Sequence, residues 1–333
     1  MTFGGFYAAV RDLAGPLARQ FTASSPRILM YHRFSRGKAF RRLPVDLFEE
    51  HISYLVRNFR PCSLTGLVRS LRDRGPDPRT VAITIDDGYA DFLEYAYPVL
   101  HRYGVPATVF LVPTFVDGSW LWFDALHYLV HRTSVASLDV EIDGIVVRLD
   151  LLDVASRNRA WETIADACLR LDVPSRDAVV RRLQEDLRVV LPPSTTAEYK
   201  GMTWDAAKSL DTELIELGAH TLTHPVLSRC TLAEIEREVR GSKEMLETRL
   251  DRRVEAFCYP FGGPGQYDDR SVDAVRAAGY QCATTAIDGI IRGRADLLRL
   301  PRISASDTSQ FRSAVNGVRT LASEWRTWQT AAS

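Results

Sequence analysis

Two adjacent carboxylates and two histidines four residues apart are the side chains in this sequence best suited to hold a metal ion. Asp86 and Asp87 follow the apolar run VAITI, and His220 and His224 follow ELIELGA. Neighbouring carboxylates repel each other unless a cation lies nearby. The i, i+4 spacing brings two imidazoles to one side of a helical turn. Two histidines and one carboxylate leave positions open for water and substrate, which is typical of a catalytic metal.

Each of these motifs has a simpler explanation when it is taken alone. Asp-Asp-Gly is also turn or cap chemistry, and an isolated H-x-x-x-H can be two unrelated histidines. Their positions strengthen the argument, because His32 follows ILMY and Tyr259-Pro260-Phe261-Gly262 follows VEAFC. Four polar groups thus lie at the C-terminal ends of four predicted strands. In a barrel of parallel strands these ends share one face, and that face carries the active site.

The elements that must position these residues alternate between strand-like and helix-like patterns, which favours βαβ units and a mostly parallel sheet. The predicted strands are 27–34, 81–85, 105–112, 213–220, 254–259 and 282–287. The predicted helices are 46–59 with Asp46 as N-cap, 63–74, 89–103 ended by Gly104, 203–210, 231–250 opened by the capping box Thr231…Glu234, and 271–280 ended at Gly279.

The alternation is interrupted by residues 113–200. They contain the helical pattern WLWFDALHYLVHR, a hairpin signal at Asp143-Gly144, and helical stretches at about 151–172 and 175–190. We predict an inserted α+β subdomain at 113–200 within a barrel domain at 27–303. An N-terminal lead-in segment, 1–26, and a C-terminal helical tail, 304–333, complete the predicted organisation.

Composition excludes several classes of protein. The 333 residues carry 42 Lys and Arg against 42 Asp and Glu, which gives no support for a nucleic-acid binder or a polybasic membrane-surface protein. No apolar run reaches the roughly 18 residues that a membrane-spanning helix needs. Arg11, Asp12 and Arg19 interrupt the apolar residues of the first segment, so it does not match the pattern of a secretory signal peptide. The five cysteines are never spaced C-x-x-C, which argues against a disulfide framework and a thiolate zinc site and predicts a cytoplasmic location.

Three motifs in this chain resemble those of the polysaccharide deacetylase family, the NodB-homology carbohydrate esterases of the family 4 type. They are TIDDG (84–88), HTLTHP (220–225) and YPFG (259–262), and the resemblance covers roughly 27–112 and 201–303. It implies a distorted (β/α) barrel, a divalent metal, most often Zn2+, and hydrolysis of N-acetyl groups on amino sugars. Residue by residue, it makes Asp86 the catalytic base, Asp87, His220 and His224 the metal ligands, and the Phe261 backbone N–H an oxyanion donor.

The sequence departs from the family pattern at the third motif and at the C-terminus. Cys258 stands where an arginine is often found, and neither D-x-x-D-W nor a C-terminal L-x-H follows, since His224 is the last histidine. The general acid must therefore come from elsewhere. LMYHRF resembles a subgroup whose catalytic histidine lies in the N-terminal part, which makes His32 the acid; a buried histidine bonded to a carbonyl is the alternative.

The other candidates have helical patterns or weaker support. His51, His101, His127 and His131 fit amphipathic helix faces. LLRLPRI (297–303) resembles the end of the subgroup's domain, where Arg302 is expected to be structural. Trp120, Trp122, Phe123 and Asp124 are either a platform for sugar rings or an anchor for the inserted helix, and packing favours the anchor. The candidate substrate-binding residues are Tyr31, Tyr259, Pro260 and Trp122, with Tyr89 and Tyr267 beside the motifs.

These expectations favour a metal-dependent N-deacetylase acting on a polysaccharide, an oligosaccharide or a glycolipid precursor. An O-acetyl esterase or a hydrolase of another non-peptide amide fits the same scaffold. A third possibility, from a different class, is a catalytically inactive glycan-binding relative. The complete set of Asp86, Asp87, His220 and His224 argues against inactivity, because an inactive relative usually loses a ligand. The expected partner is an N-acetylated glycan, with no nucleic acid and no membrane span.

Overall fold

Parallel strands form a barrel in the computed structural model, which describes residues 15–73, 75, 77–142, 144–305, 310–318 and 320. The described strands are β1 (Arg27–Tyr31), β2 (Phe34–Ser35), β3 (Leu43–Pro44), β4 (Arg60–Cys62), β5 (Thr80–Ile85), β6 (Ala107–Leu111), β7 (Ser137–Ile142), β8 (Ile145–Asp150), β9 (Ile215–Ala219), β10 (Ala256–Cys258), β11 (Cys282–Asp288) and β12 (Leu300–Ser304).

The barrel closes because β1 pairs with both β5 and β12. The ring runs β1, β5, β6, β9, β10, β11, β12, all parallel, and β4 pairs with the first half of β5. Every residue of β5 and β6 is buried, as expected of strands covered on both faces. The predicted distorted (β/α) barrel is therefore confirmed.

Helices cover the barrel and build the inserted block. They are α1 (15–21), α2 (Val45–Asn58), α3 (Leu64–Asp73), α4 (Tyr97–Tyr103), α5 (Pro113–Val116), α6 (Trp122–Arg132), α7 (Val154–Cys168), α8 (Val173–Asp186), α9 (Trp204–Ser209), α10 (Leu232–Leu250), α11 (Asp269–Ala277) and α12 (Phe311–Val315). Among the described residues, none of these helices combines the length and the apolar character that crossing a membrane requires.

Two predicted helices differ in detail from the observed ones. The first starts after Pro44 rather than after Asp46, and Val56 on its predicted apolar face is 44% exposed. The second, predicted at 89–103, is π-helical over Phe92–Ala96 and becomes α-helical only from Tyr97. Pro98 has no N–H to donate to an earlier carbonyl, which explains why regular α-helix begins around it. Gly104 closes α4 in the left-handed conformation, as predicted.

The inserted block has its own hydrophobic cluster, formed by α6, α7, α8 and the hairpin β7–β8. Its buried members include Leu126, Leu129, Trp161, Ile164 and Leu183. The hairpin pairs antiparallel from Ser137–Asp150 to Ile142–Ile145, which places its turn where the sequence predicts it. Asp143 itself lies outside the described residues.

The segment after α1 contacts the segment after α12, and α12 packs on α2. Phe311 of α12 stacks on the His51 ring at 3.6 Å between centroids, so His51 is a packed helix-face histidine. Thr22, directly after α1, donates to the backbone of Asn316. The rest of the predicted tail, 306–309, 319 and 321–333, lies outside the described residues, as do 1–14 of the predicted lead-in segment.

Candidate active site

The predicted site residues meet at the carboxyl ends of the barrel strands. Asp86 and Asp87 follow β5, His220 begins the loop after β9, Tyr259 follows β10, and His32 follows β1. Because all seven strands run parallel, these loops lie at one end of the barrel. The sequence predicted this placement from strand ends alone.

Asp87, His220 and His224 present three donor atoms to one point. Asp87 Oδ1 lies 3.5 Å from His220 Nε2 and 3.2 Å from His224 Nε2, and the two Nε2 atoms are 3.2 Å apart. A tetrahedral zinc ion with bonds of about 2.0–2.1 Å holds its donors roughly 3.3 Å apart. All three side chains are buried. The spacing of the three donors therefore fits a divalent metal.

The hydrogen bonds around these donors also fit a metal. Asp87 Oδ1 is buried and has no hydrogen-bond partner among the described residues, which is costly for a carboxylate unless a cation meets it. His220 Nδ1 donates to the Cys258 carbonyl at 2.7 Å, which leaves Nε2 as the acceptor. Burial and the nearby His224 lower the pKa of His220 to about 4, so its ring stays neutral, the form that binds metals.

Backbone strain is concentrated in the same loops. Asp87, Thr221, His224 and Phe261 have φ angles of 72°, 63°, 59° and 61°, in the left-handed region that non-glycine residues avoid. Such conformations persist when the surrounding structure over-determines them, and they are common at functional sites. The His224 N–H donates to Thr221 Oγ1 at 3.0 Å, which holds the turn between the two histidines.

A buried carboxylate that the sequence analysis missed supports this turn from α10. Glu238 accepts hydrogen bonds from the Thr223 N–H at 2.8 Å and from the Thr223 hydroxyl at 2.9 Å, and it is 1% exposed. In the sequence, Glu238 could have been noticed as a glutamate on the core-facing side of a helix, between Ile235 and Ser242. A charge at a position that faces the core indicates a specific partner there.

Asp86 is held by a guanidinium rather than by the metal ligands. Arg302 Nη1 and Nη2 donate to its two oxygens at 2.6 and 2.7 Å, and both side chains are buried. Burial alone disfavours the ionised carboxylate, but the Arg302 charge outweighs it and lowers the pKa of Asp86 well below its ordinary value. Arg302 Nε also donates to the Thr285 carbonyl at 2.7 Å, which fixes the orientation of the guanidinium group.

Arg302, which the sequence analysis expects to be structural, also forms a buried ion pair with Asp86. It lies on β12, and its Nη2 is 3.1 Å from the Cys258 Sγ. Cys258 occupies the position at which the resemblance places an arginine. In this chain a guanidinium reaches Asp86 from β12. Sequence reasoning missed it because β12 contains Pro301, and a proline argues against a central strand.

A second group, Asp86, His220 and Cys258, also has ligand atoms close together. Both Asp86 oxygens already accept from Arg302, whose charge opposes another cation at that carboxylate. Burial raises the pKa of the Cys258 thiol well above its ordinary value, so it stays protonated. A protonated thiol is a poor metal ligand, and the Asp87 group is the better candidate.

His32 and the Phe261 backbone complete the open side of the site. His32 Nε2 lies 3.6 Å from Asp86 Oδ2, and the His32 side chain is 43% exposed, so it faces the solvent side of Asp86. The alternative of a buried, carbonyl-bonded histidine does not match this exposure. The Phe261 N–H has no hydrogen-bond acceptor among the described residues, while the following Gly262 N–H donates to Pro260.

The comparison with known proteins agrees with this arrangement. A sequence model of the family described as polysaccharide deacetylase matches residues 73–135 and 191–283. Over these two segments the chain resembles the polysaccharide deacetylase family. The matched segments hold Asp86, Asp87, His220, His224 and Phe261 and leave residues 136–190 of the inserted block unmatched.

One curated relative of this chain is YxkH of Bacillus subtilis (strain 168), whose name describes it as a putative polysaccharide deacetylase. The two are 43% identical over 88 residues, 26% of this chain and 31% of that protein. The match thus spans less than a third of the relative's length.

Solved structures of other proteins share the fold of this chain. The deacetylase PplD of Streptococcus pyogenes, in complex with acetate, superposes with a TM-score of 0.56 at 18% identity, covering 84% of this chain and 92% of that one. IcaB from Ammonifex degensii gives 0.56 at 14% identity, covering 88% and 97%. At these identities the likeness shows the barrel fold alone.

The inserted block reaches the candidate metal site through α6. The Phe123 ring meets the His224 ring at 5.3 Å, and Phe261 meets His224 at 4.9 Å. Trp122 packs on Phe261 at 5.6 Å. The first turn of α6 thus covers one side of the His224 ligand.

A buried polar contact joins the same helix to the Asp86–Asp87 loop. The Tyr89 hydroxyl donates to Asp124 Oδ2 at 2.7 Å, and the Arg33 guanidinium lies 4.1 Å from the Tyr89 ring centroid. Burial raises the pKa of Asp124 to about 7, although the charge of Arg33 opposes this rise. Asp124 therefore acts as a hydrogen-bonded core group.

The candidate substrate-binding side chains are buried. Tyr31 is 1% exposed and hydrogen-bonded to His51, and Tyr259 is 0% exposed and donates to the Leu298 carbonyl. Pro260 is also buried, and Trp122 is 6% exposed beneath the Arg176 guanidinium. These four side chains are corrected to wall and core positions, because their surfaces are already covered. For Trp122 this agrees with the preferred anchor interpretation.

Proposed function

We propose that the protein hydrolyses N-acetyl groups on the amino sugars of a glycan, with a divalent metal held by Asp87, His220 and His224. The observation that carries this proposal is the convergence of three buried donor atoms at 3.2–3.5 Å, one of them an oxygen without another partner. The resemblance to the polysaccharide deacetylase family supports the acetyl group as the target. Zinc is the metal we propose, since two imidazoles and a carboxylate suit it.

A metal bound at these ligands would acidify a water molecule and polarise the acetyl carbonyl. Asp86 stays ionised because Arg302 stabilises its charge, so it is ready to accept the proton from the attacking water. Each carboxylate oxygen has two lone pairs, and Arg302 uses one on each oxygen. Asp86 is a weak base, which suffices when the water is already acidified.

The other groups act on the oxygen and nitrogen of the amide. The Phe261 N–H donates to the oxyanion that develops when water adds, at the moment its charge appears. His32 is partly exposed next to Asp86 and delivers a proton to the departing amine. An amide requires this proton far more than an ester does, since an amide anion is a much poorer leaving group than an alkoxide.

The alternatives predict different activities for the same residues. An O-acetyl esterase would release acetate from O-acetylated sugars and depend little on His32. A catalytically inactive glycan-binding protein would bind sugars and release no acetate. The complete set of metal donors favours an active enzyme.

The test is metal analysis of the purified protein, followed by acetate release from N-acetylglucosamine oligosaccharides and from matched O-acetylated sugars. We expect about one zinc per chain and acetate from the N-acetylated substrates. His32→Ala should lower amide hydrolysis by about 100-fold, within the usual range for general acid catalysis, and ester hydrolysis much less. Release from esters alone would overturn the amide assignment, and bound metal without turnover would leave a binding protein.

All five cysteines are free thiols, as the sequence predicts. This supports a reducing compartment, and we retain a cytoplasmic location as part of the proposal. A biosynthetic glycan or glycolipid precursor is the substrate class that such a location favours.

A further inference from the structure

We propose that the loop 36–42 and the outer face of α6 form a binding wall for an anionic glycan chain that extends from the metal site. The wall consists of Lys38, Phe40, Arg41, His127 and His131. The inference rests on the proposed function, because it takes the acetylated sugar to sit at Asp87 and His224. It adds the part of the substrate that lies beyond the reacting sugar.

One face of α6 leads away from the metal ligands. Phe123, His127 and His131 follow each other at intervals of four residues, and each is only partly buried. Four residues of helix span about 6 Å. Phe123 meets His224, and the His127 and His131 rings stack at 4.1 Å. The helix thus carries aromatic rings at three successive turns, beginning with the ring that meets His224.

Phe40 extends this row from the opposite side. Its ring lies parallel to His127 at 5.8 Å and edge-on to Trp161 at 5.7 Å, yet it is 38% exposed. An exposed aromatic ring fixed by neighbouring rings loses little entropy when a ligand binds. The C–H faces of sugar rings pack on such surfaces. Phe40 therefore presents a preformed stacking position beside His127, one helical turn along α6 from Phe123.

The positive charge of the loop 36–42 favours anionic glycans over neutral ones. Residues 36–42 contain Arg36, Lys38, Arg41 and Arg42 and no acid, in a chain whose net charge is zero. Arg42 pairs with Glu198 at 4.0 Å, whereas Lys38 and Arg41 have no carboxylate within ion-pair distance among the described residues. Arg41 lies over the Trp161 ring at 5.1 Å. A cluster of one sign beside a cleft attracts a substrate of the opposite sign.

These observations favour a glycan over other anionic partners. The basic residues are confined to one short loop, which is too small a footprint for a nucleic acid. The row of rings begins with the ring that meets His224, as a chain substrate requires. The anionic group is a carboxylate or a phosphate on a sugar near the acetylated one, and both would meet the same cations.

The experiment uses the zinc-loaded full-length protein and three probes. They are a neutral N-acetylglucosamine hexasaccharide, a hexasaccharide of alternating N-acetylglucosamine and glucuronic acid, and an N-acetylglucosamine oligosaccharide ending in a phosphate. The variants are Phe40→Ala and the double variant Lys38→Ala/Arg41→Ala. Phe21→Ala and Arg69→Ala are matched controls, because both residues are exposed and far from the carboxyl ends of the strands.

We expect kcat/KM for at least one anionic probe to exceed that for the neutral probe and to fall as salt rises. The double variant should lose about tenfold, mainly through KM, and should lose most of the salt dependence. Phe40→Ala should weaken all three oligosaccharides and leave hydrolysis of a single N-acetylglucosamine unchanged. The probe that responds identifies the carboxylate or the phosphate as the anion.

A double variant with the salt dependence of the wild type would overturn the inference, as would equal losses in the two controls. Failure of the proposed function gives a different result, since no probe would then release acetate. In that case titration calorimetry with the same probes still measures the affinity of the binding wall for each oligosaccharide. Loss of affinity in the double variant would support it, and unchanged affinity would reject it.

Discussion

The two neighbouring carboxylates have opposite surroundings, and this difference separates their roles. Asp86 accepts two hydrogen bonds from Arg302, whereas Asp87 Oδ1 accepts none from the described residues and faces two imidazole nitrogens. Adjacent acids whose environments differ in this way commonly take different roles in catalysis. The guanidinium and the expected metal each neutralise one charge, which removes the repulsion between the two acids.

The first prediction concerns Arg302. Arg302→Met leaves the Asp86 carboxylate buried without its partner, and removing one member of a buried pair costs about 3–5 kcal/mol. The free energy of unfolding should fall by that order, as measured in urea. The loss should be smaller at low pH, because Asp86 can then take up a proton instead of remaining charged.

The double variant Asp86→Asn/Arg302→Met provides the control. Removing both charges should recover most of the lost stability, since neither group is then left unpaired. If the double variant were as unstable as Arg302→Met, packing of the long side chain rather than charge would explain the loss.

The second prediction separates the two acids by metal binding. Asp87→Ala removes a donor and should abolish tight zinc binding in a calorimetric titration. Asp86→Asn retains all three donors and should bind zinc nearly as the wild type does, while acetate release falls by at least about 100-fold. Loss of zinc binding in Asp86→Asn would contradict the assignment of Asp86 outside the ligand set.

Among the elements, α10 supports the proposed metal site from the outside of the barrel. It begins with the capping box predicted from Thr231 and Glu234, and it places Glu238 beneath the loop that joins the two histidine ligands. A strained loop needs such support, because Thr221 and His224 both have positive φ. A helix on the outside of the barrel thus helps to fix the geometry at its end.

The third prediction tests this support. Glu238→Gln replaces a carboxylate with a neutral amide, so the two hydrogen bonds to Thr223 lose the strength that the charge gives them. Zinc affinity should fall by about 10- to 100-fold, as is typical when a group behind a ligand is changed. Glu236→Gln, on the exposed face of the same helix, is the matched control. Equal affinities in the two variants would show that Glu238 is only a packing residue.

The sequence was sufficient for the strands that carry strong apolar patterns and insufficient for those that do not. β5, β6 and β9 are apolar runs, and the motif residues after β5 and β9 were placed correctly. β4 and β12 have the sequences RPC and LPRIS. Each contains a proline and an arginine, which make the segment unlike the usual apolar pattern of a strand. The contact between Arg302 and Asp86 could therefore not be predicted from the sequence, because it forms only when β12 closes the barrel.

At the scale of the whole molecule, the inserted block is part of the site. The sequence predicted that this block contains helices and a hairpin, but it did not predict how the block packs against the barrel. Phe123 meets His224 and Asp124 meets Tyr89 across more than 30 residues of chain. Such contacts leave no periodic signal in the sequence, because they depend on how two separately patterned units pack. The orientation of α6 thus had to come from the structure.

The last prediction uses pH to test this docking contact. The carboxyl of Asp124 has a pKa raised from 3.8 to about 7 by burial, so the folded state holds a proton there that the unfolded chain releases. Between these two values folding binds one more proton, and stability should fall as pH rises, by up to about 1.4 kcal/mol per pH unit. Asp124→Asn keeps a neutral, hydrogen-bonding side chain and should remove that slope. Urea unfolding of metal-free protein between about pH 4 and pH 8 measures it.

Two further variants show whether the slope belongs to the contact between barrel and insert. Tyr89→Phe removes the hydrogen bond and leaves Asp124 buried, so it should lower stability by about 1 kcal/mol and retain the fall with pH. Asp166→Asn changes an exposed acid in the same inserted block and should follow the wild type throughout. If Asp124→Asn gave a curve parallel to the wild type, Asp124 would titrate alike in both states. The closed packing of α6 against the Tyr89 loop would then not describe the folded protein in solution.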